Sequence, residues 1–160
     1  MKLYLMLLLV FLFTGSPALA DDSIIAYVKT VSGTAVIKRD GAATKAQPGS
    51  PVHLNDVLST AANSSLGITF KDNTVMSFGP DTEIKVDEYL YSPGKDDLKL
   101  SASIFKGTME YISGVIAKLK PQSVAVKTPS GIIGVSGTRF LVKVDDLSAP
   151  AGIKPAGKGE

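Results

Sequence analysis

Few residues in this chain have side chains suited to chemistry, and they are widely spaced. There is one histidine, His53, and no cysteine, so the usual nucleophiles, proton carriers and metal ligands are scarce. Gly134–Thr138 reads Gly-Val-Ser-Gly-Thr and resembles the Gly-x-Ser-x-Gly turn of hydrolases, but Thr138 replaces the final glycine. A pair formed by Ser136 and His53 would also lack a third group to orient it. We therefore predict no catalytic residue and no enzymatic activity.

Acidic residues occur as neighbours along the chain. The pairs are Asp21-Asp22, Asp87-Glu88, Asp96-Asp97 and Asp145-Asp146. Neighbours in an extended strand point to opposite faces, so such pairs do not converge on one bond or one ion. The order of acids, glycine and distant glutamate that builds a calcium loop is also missing. We predict no metal and no cofactor.

Three glycines, Gly131, Gly134 and Gly137, recur at every third position after a predicted strand. Phosphate-binding loops rich in glycine open a helix, whereas the segment after these glycines, Thr138–Val144, is predicted as another strand. We interpret the three glycines as points where strands bend or approach one another closely.

From Ile24 to Val144 the chain alternates short strands with polar turns. Ser65–Phe70 and Thr82–Asp87 each place apolar side chains at every second position, which sends them to one face. The same alternation recurs at Leu98/Leu100, Met109/Tyr111, Val124/Val126 and Phe140/Val142/Val144. The pattern predicts an all-β domain of stacked short strands, either a sandwich or a β-solenoid-like stack. Only Tyr111–Leu119 is compatible with a short helix, and a bent strand is the alternative there.

The beginning of the chain is typical of a secretory signal peptide. Lys2 precedes eleven apolar residues, and Ala18 and Ala20 stand before Asp21-Asp22. We expect cleavage after Ala20, a periplasmic or secreted protein, and no membrane span after cleavage; a retained anchor is the alternative. The predicted organisation is a signal peptide at 1–20, an N-terminal strand segment at 21–33, a β domain at 34–144 and a disordered tail at 145–160.

The charge balance argues against nucleic acid as a partner. The full chain has a net charge of +2, and Lys2 is the only charged residue of the leader. Basic residues gather loosely in the C-terminal third, at Lys118, Lys120, Lys127, Arg139 and Lys143. We interpret them as a solvated face or as guards of edge strands, and the alternative is a surface for anionic sugars or lipid headgroups.

Two stretches of the chain, from Leu54 to Ile84 and from Val126 to Phe140, carry more than strand alternation. Their motif residues are Asn55, Asp56, Asp72, Asn73, Thr128, Pro129, Gly131, Gly134, Gly137, Thr138 and Phe140. Together they resemble the FecR domain family of periplasmic regulators, which relay the occupancy of iron–siderophore receptors to a sigma factor, and the similarity covers about 34 to 144. The resemblance implies the family's compartment and a solenoid-like stack of strands.

The chain departs from the family pattern at informative positions. Asn55 and Asn73 stand where glycine is usual, and asparagine also tolerates the left-handed backbone of a tight turn. Arg139 stands where many members have an acid, so an ion pair made there in relatives should be absent or rearranged. The sigma-factor-binding and receptor-docking segments are not recognisable, and we do not expect the signal-relay function to be inherited.

We therefore expect an exported, non-enzymatic envelope protein whose FecR-like domain binds another envelope protein or acts as a scaffold. The alternative is a glycan- or peptidoglycan-binding module. Sugar sites commonly use aromatic platforms, and the chain has no tryptophan; Tyr89, Tyr91 and Tyr111 are the candidates. A part in transmembrane signalling is the third and least favoured function.

Overall fold

The computed structural model describes residues 24–135 and 137–146. The predicted signal peptide, most of the predicted tail and Ser136 lie outside these residues. The all-β class is confirmed. The strands are β1 (Ile24–Ser32), β2 (Ala35–Arg39), β3 (Ala42–Lys45), β4 (Pro51–His53), β5 (Val57–Thr60), β6 (Ser65–Phe70), β7 (Val75–Phe78), β8 (Glu83–Ser92), β9 (Asp97–Ile112), β10 (Val124–Thr128), β11 (Gly131–Gly134) and β12 (Arg139–Val144).

The strands form two sheets that share β9. Sheet A has the order β4-β1-β6-β7-β9-β12, and sheet B has the order β3-β2-β5-β8-β9-β10-β11. Among the described strands only β9 and β10 pair in parallel, and the remaining pairings are antiparallel. The arrangement is therefore the antiparallel, sandwich-like form of the predicted stack, because a solenoid is built mainly from parallel pairings.

Strand β9 turns from one sheet into the other at Gly107. Its first part, up to Lys106, pairs with β8 on one side, and its second part, from Gly107, pairs with β12. Gly107 has φ +93°, and a Cβ there would lie 2.4 Å from the Cα of Thr82. Both the backbone angle and the close contact require glycine. The Thr82 hydroxyl secures the corner, because it accepts a hydrogen bond from the Thr108 nitrogen at 3.0 Å.

One hydrophobic core fills the space between the two sheets. The largest fully buried side chains come from both sheets, with Ile68, Phe70, Met76 and Met109 in sheet A and Leu58, Ile84, Leu100 and Ile104 in sheet B. Full burial of such a side chain stabilises the fold by about 1.5–3 kcal/mol. The inward residues match the alternation read from the sequence in β6, β8, β9, β10 and β12.

The segment predicted as a helix or a bent strand contains both. Strand β9 extends to Ile112, and a five-residue helix, α1 (Val115–Leu119), follows. Two single turns of 3₁₀-helix occupy Pro93–Lys95 and Pro121–Ser123. Within the described ranges, none of these helices is long and apolar enough to cross a membrane.

Candidate functional site

The Asn55-Asp56 motif forms the tight turn between β4 and β5. Asn55 has φ +68°, and the Asp56 nitrogen donates a hydrogen bond to the carbonyl oxygen of His53 at 3.2 Å. A positive φ at the third position of a four-residue turn is the geometry that glycine or asparagine supplies. Asparagine at position 55 therefore adopts the backbone conformation that this tight turn requires.

The Asp56 carboxylate is fully buried below this turn and binds three donors. It accepts hydrogen bonds from the His53 backbone nitrogen at 2.8 Å and from the Nε and Nη2 atoms of Arg39 at 2.7 and 2.8 Å. This two-pronged contact satisfies both oxygens of a carboxylate that water does not reach. Arg39 escaped the sequence analysis, because nothing local links the end of β2 to a turn seventeen residues later.

His53 is a buried structural residue. It is 7% exposed, and its Nδ1 lies 3.9 Å from the nearer Asp56 oxygen. The strand that carries it, β4, is at one end of sheet A, whereas Gly134 and Thr138 lie near β11 and β12 at the other ends of the sheets. The interpretation of His53 as structural fits this position better than a pairing with the Gly134–Thr138 segment.

The Asp72-Asn73 motif forms the hairpin between β6 and β7. The Phe70 nitrogen donates to the carbonyl of Thr74 at 2.9 Å, the Asn73 nitrogen donates to the carbonyl of Phe70 at 3.0 Å, and Asn73 has φ +65°. This is the three-residue hairpin loop in which a turn is followed by one left-handed residue. The second asparagine thus occupies its position for the same reason as Asn55.

Asp72 also fixes the start of α1. Its carbonyl accepts the Val115 nitrogen at 2.8 Å, and its Oδ2 accepts the Ile116 nitrogen at 3.2 Å and the Thr74 hydroxyl at 2.7 Å. The first N–H groups of a helix have no partner within the helix, and a carboxylate supplies one. Gly114 permits the contact, because a Cβ there would lie 2.3 Å from the Thr74 nitrogen.

Tyr89 completes the Asp72 cluster. Its hydroxyl donates to Asp72 Oδ1 at 3.3 Å and accepts from the Asp72 nitrogen at 3.0 Å, and its ring lies 5.3 Å from that of Phe70. Burial, and then the negative charge of Asp72, raise the pKa of Tyr89 well above its ordinary value. The phenol therefore stays protonated and continues to donate.

Tyr111 is fully buried and stacks on Phe140 with 4.9 Å between ring centres. Burial raises the pKa of Tyr111 to about 12. Thr74 and Ser113 lie close enough to offset part of this rise, although neither forms a hydrogen bond of normal geometry with the hydroxyl. Tyr91 is also packed against the core. The three tyrosines that the glycan-binding alternative would use are thus buried, or partly buried against the core.

The motif residues between Thr128 and Thr138 form the β10–β11 hairpin and the segment that leads into β12. The Thr128 hydroxyl accepts from the Ser130 nitrogen at 3.2 Å and donates to the Gly131 carbonyl at 3.0 Å, around Pro129. The Ser113 hydroxyl donates a hydrogen bond to the carbonyl oxygen of Gly137 at 2.7 Å, and the Ser113 nitrogen donates to the carbonyl oxygen of Thr138 at 2.9 Å.

The interpretation of the three motif glycines needs correction. A Cβ at Gly131, Gly134 or Gly137 would meet no described atom within 4 Å. The prediction that these positions need glycine because strands approach closely there is therefore wrong. Gly137, with φ +133°, does provide a bend. Close approach occurs instead at other glycines, among them Gly107 and Gly114, where backbone atoms of a neighbouring segment lie within 2.5 Å of the added Cβ position.

Four of the five basic residues named in the C-terminal third lie beside acids. Arg139 forms an ion pair with Glu110 on the adjacent strand β9. Three of the lysines have partners as well: Lys120 with Asp96, Lys127 with Asp87, and Lys143 with Asp145. Neutralised charges of this kind support the interpretation as a solvated, guarded surface.

In chemical terms, the site is a set of buried polar contacts that hold turns, a helix start and strand ends. Within the described part of the chain, no group of three or more histidine, cysteine, aspartate or glutamate residues could hold a metal ion. The fold and these contacts together define an all-β domain whose buried motif residues form internal polar contacts.

Comparison with known families identifies the domain more closely. Residues 56–153 match the family described as FecR protein. The match covers more than half of the chain, and the chain therefore belongs to the FecR family. No curated protein and no solved structure matches it.

Proposed function

We propose that this protein is a non-enzymatic, exported component of the cell envelope whose FecR domain binds another protein or serves as a scaffold. Membership of the FecR family supports a role connected with signalling regulators. The proposal depends most on one observation, namely that the two buried aspartates of the motif, Asp56 and Asp72, are committed to internal hydrogen bonds.

The two buried aspartates illustrate this use of polar groups. Asp56 accepts from Arg39 and His53, and Asp72 accepts from Thr74, Tyr89 and Ile116. A carboxylate with this many donors has little capacity left for a substrate proton or a metal ion. Both aspartates instead make the exposed surface rigid, which lowers the entropic cost of recognising a partner.

Export is the second part of the proposal and rests on the leader at 1–20. Mass spectrometry of the protein recovered from the periplasm or medium tests it, with Asp21 expected as the first residue. A membrane-bound product that retains Met1 would contradict cleavage.

Crosslinking in intact cells, followed by affinity capture from the envelope fraction, tests the interaction. An unrelated exported β protein of similar size and charge is the matched bait. We expect at least one envelope protein to be enriched with this chain alone, and equal recovery with both baits would contradict the proposal. Sedimentation with insoluble cell wall tests the glycan alternative, and we expect the protein to stay in the supernatant.

A further inference from the structure

The strand β11 is an edge of sheet B without the usual protection. Four described strands, β3, β4, β11 and β12, pair with a neighbour on one side only. Edge strands are normally protected by charge or proline, because free N–H and C=O groups invite another strand. Lys45 lies on β3, Pro51 on β4, and Arg139 and Lys143 on β12, whereas β11 reads Gly-Ile-Ile-Gly.

The same strand presents an apolar side chain to solvent. Ile132 is 72% exposed, while its neighbour Ile133 packs against the core. Gly131 and Gly134 flank the two isoleucines, and the space beside each glycine is empty of described atoms. Another backbone can therefore approach β11 without meeting a side chain.

We propose that β11 pairs with β11 of a second copy, in antiparallel register about a two-fold axis at Ile132. This inference goes beyond the proposed function, because the partner is the protein itself. A two-fold axis perpendicular to the sheet joins the two copies into one continuous sheet, in which the core-facing sides of both copies lie on the same side. Directly opposed residues of antiparallel strands point to the same face of that sheet. Ile132 then lies opposite Ile132 of the other copy, and Ile133 lies opposite Gly131, which leaves room for it.

The distribution of charge favours self-pairing of β11 over self-pairing of the charged edge strand β12. Thr128–Val135 contains no charged residue, so nothing in it repels an identical strand. The nearest cation on the face of Ile132 is Lys127, which is opposite Ile132 on β10 and paired with Asp87. Across the dimer the two lysines would be three strand spacings apart, about 14 Å, which exceeds the screening length of about 8 Å. Self-pairing of β12 about Leu141 would instead place Arg139 of each copy opposite Lys143 of the other.

The interface is small, so we expect a weak dimer. Stable interfaces bury about 800 Å² on each partner, and a strand of four residues with one exposed isoleucine falls below this. Sedimentation equilibrium of the purified full chain should show a dimer whose population rises with concentration. Ile132→Lys should weaken dimerisation at least tenfold, because it places two cations directly opposite each other.

Leu141→Lys is the matched control. Leu141 is also 72% exposed and also lies on an edge strand, but between Arg139 and Lys143. We expect it to leave the dimerisation constant unchanged. A chain that stays monomeric at all concentrations, or equal weakening by both substitutions, would overturn the proposal. Far-UV circular dichroism checks that both variants fold.

A covalent test is independent of the lysine variants. The chain has no cysteine, so Ile132→Cys introduces a unique thiol. Opposed Cβ atoms of antiparallel strands are about 4.5–5.5 Å apart, close to disulfide geometry. Mild oxidation or a short bis-maleimide should give mainly covalent dimer for Ile132→Cys and little for Leu141→Cys. Equal yields from the two variants would contradict the register.

Discussion

The Asp72 carboxylate accepts a hydrogen bond from the backbone nitrogen of Ile116, forty-four residues later in the chain, at 3.2 Å. The β6–β7 hairpin is thereby fastened to the first turn of α1. The hairpin loop and the helix are each too short to hold their shape alone, and one buried carboxylate orders both.

We predict that Asp72→Asn destabilises the protein by about 1–3 kcal/mol, because the amide group turns one acceptor into a donor among buried donors. Urea unfolding measures the change. Asp81→Asn is the control: Asp81 is a turn aspartate that is exposed, and asparagine tolerates its positive φ. Equal effects of the two substitutions would show that the Asp72 contacts contribute nothing specific.

Arg39→Met should cost about 1–3 kcal/mol, since it leaves the buried Asp56 carboxylate with one donor fewer on each oxygen. Arg39→Lys should recover only part of the loss, because an ammonium group cannot reproduce the two parallel contacts. The midpoint of urea unfolding compares the variants. Full recovery by lysine would mean that charge alone, and not the fork geometry, holds the Asn55-Asp56 turn.

Gly107→Ala should be the most damaging single methyl addition at a glycine with positive φ. The added Cβ would lie 2.4 Å from the Thr82 backbone, and we expect a loss of about 4 kcal/mol or failure to fold. Gly41→Ala is the control with a similar φ, +82°, and no atom within 4 Å, and it should cost about 1–2 kcal/mol. Thermal melting and soluble yield report both, and similar stabilities would argue against a tight corner.

Two tyrosine-to-phenylalanine substitutions should differ in their effect on the free energy of unfolding. Tyr111→Phe removes a buried hydroxyl that forms no normal hydrogen bond to the described residues, so stability should stay within about 0.5 kcal/mol or rise. Tyr89→Phe removes both contacts with Asp72 and should cost about 1–2 kcal/mol. Chemical unfolding measures the pair, and a larger loss at Tyr111 would reverse the assignment.

Stability should fall at alkaline pH. The folded protein raises the pKa of Tyr111 to about 12 and also raises the pKa of Tyr89. A raised pKa means that the fold favours the protonated phenol, so this stabilisation is complete below the unfolded pKa of about 10 and is lost as pH rises through the folded values. Urea unfolding across that range tests the sign, and Tyr111→Phe should flatten the dependence. A rise in stability above pH 10 would contradict the prediction.

Much of the fold was readable from period-two alternation and turn residues. Strand β9 marks where that reading stops, because its buried apolar residues are even-numbered up to Ile104 and odd-numbered from Met109. The left-handed backbone of Gly107 shifts the alternation of inward and outward side chains by one residue. The sequence pattern of this single strand therefore resembles that of two separate strands. The contacts of Asp56 and Asp72 could not be predicted, since Arg39 and Ile116 approach them only through the sheet topology.

Because β9 completes both sheets, neither sheet can come apart without removing a strand from the other. We expect the domain to melt in a single cooperative step, with the same midpoint whether it is followed by backbone dichroism or by tyrosine fluorescence. A substitution that distorts the backbone at Gly107 should therefore destabilise both sheets together. A partly denatured form with one intact sheet should not accumulate.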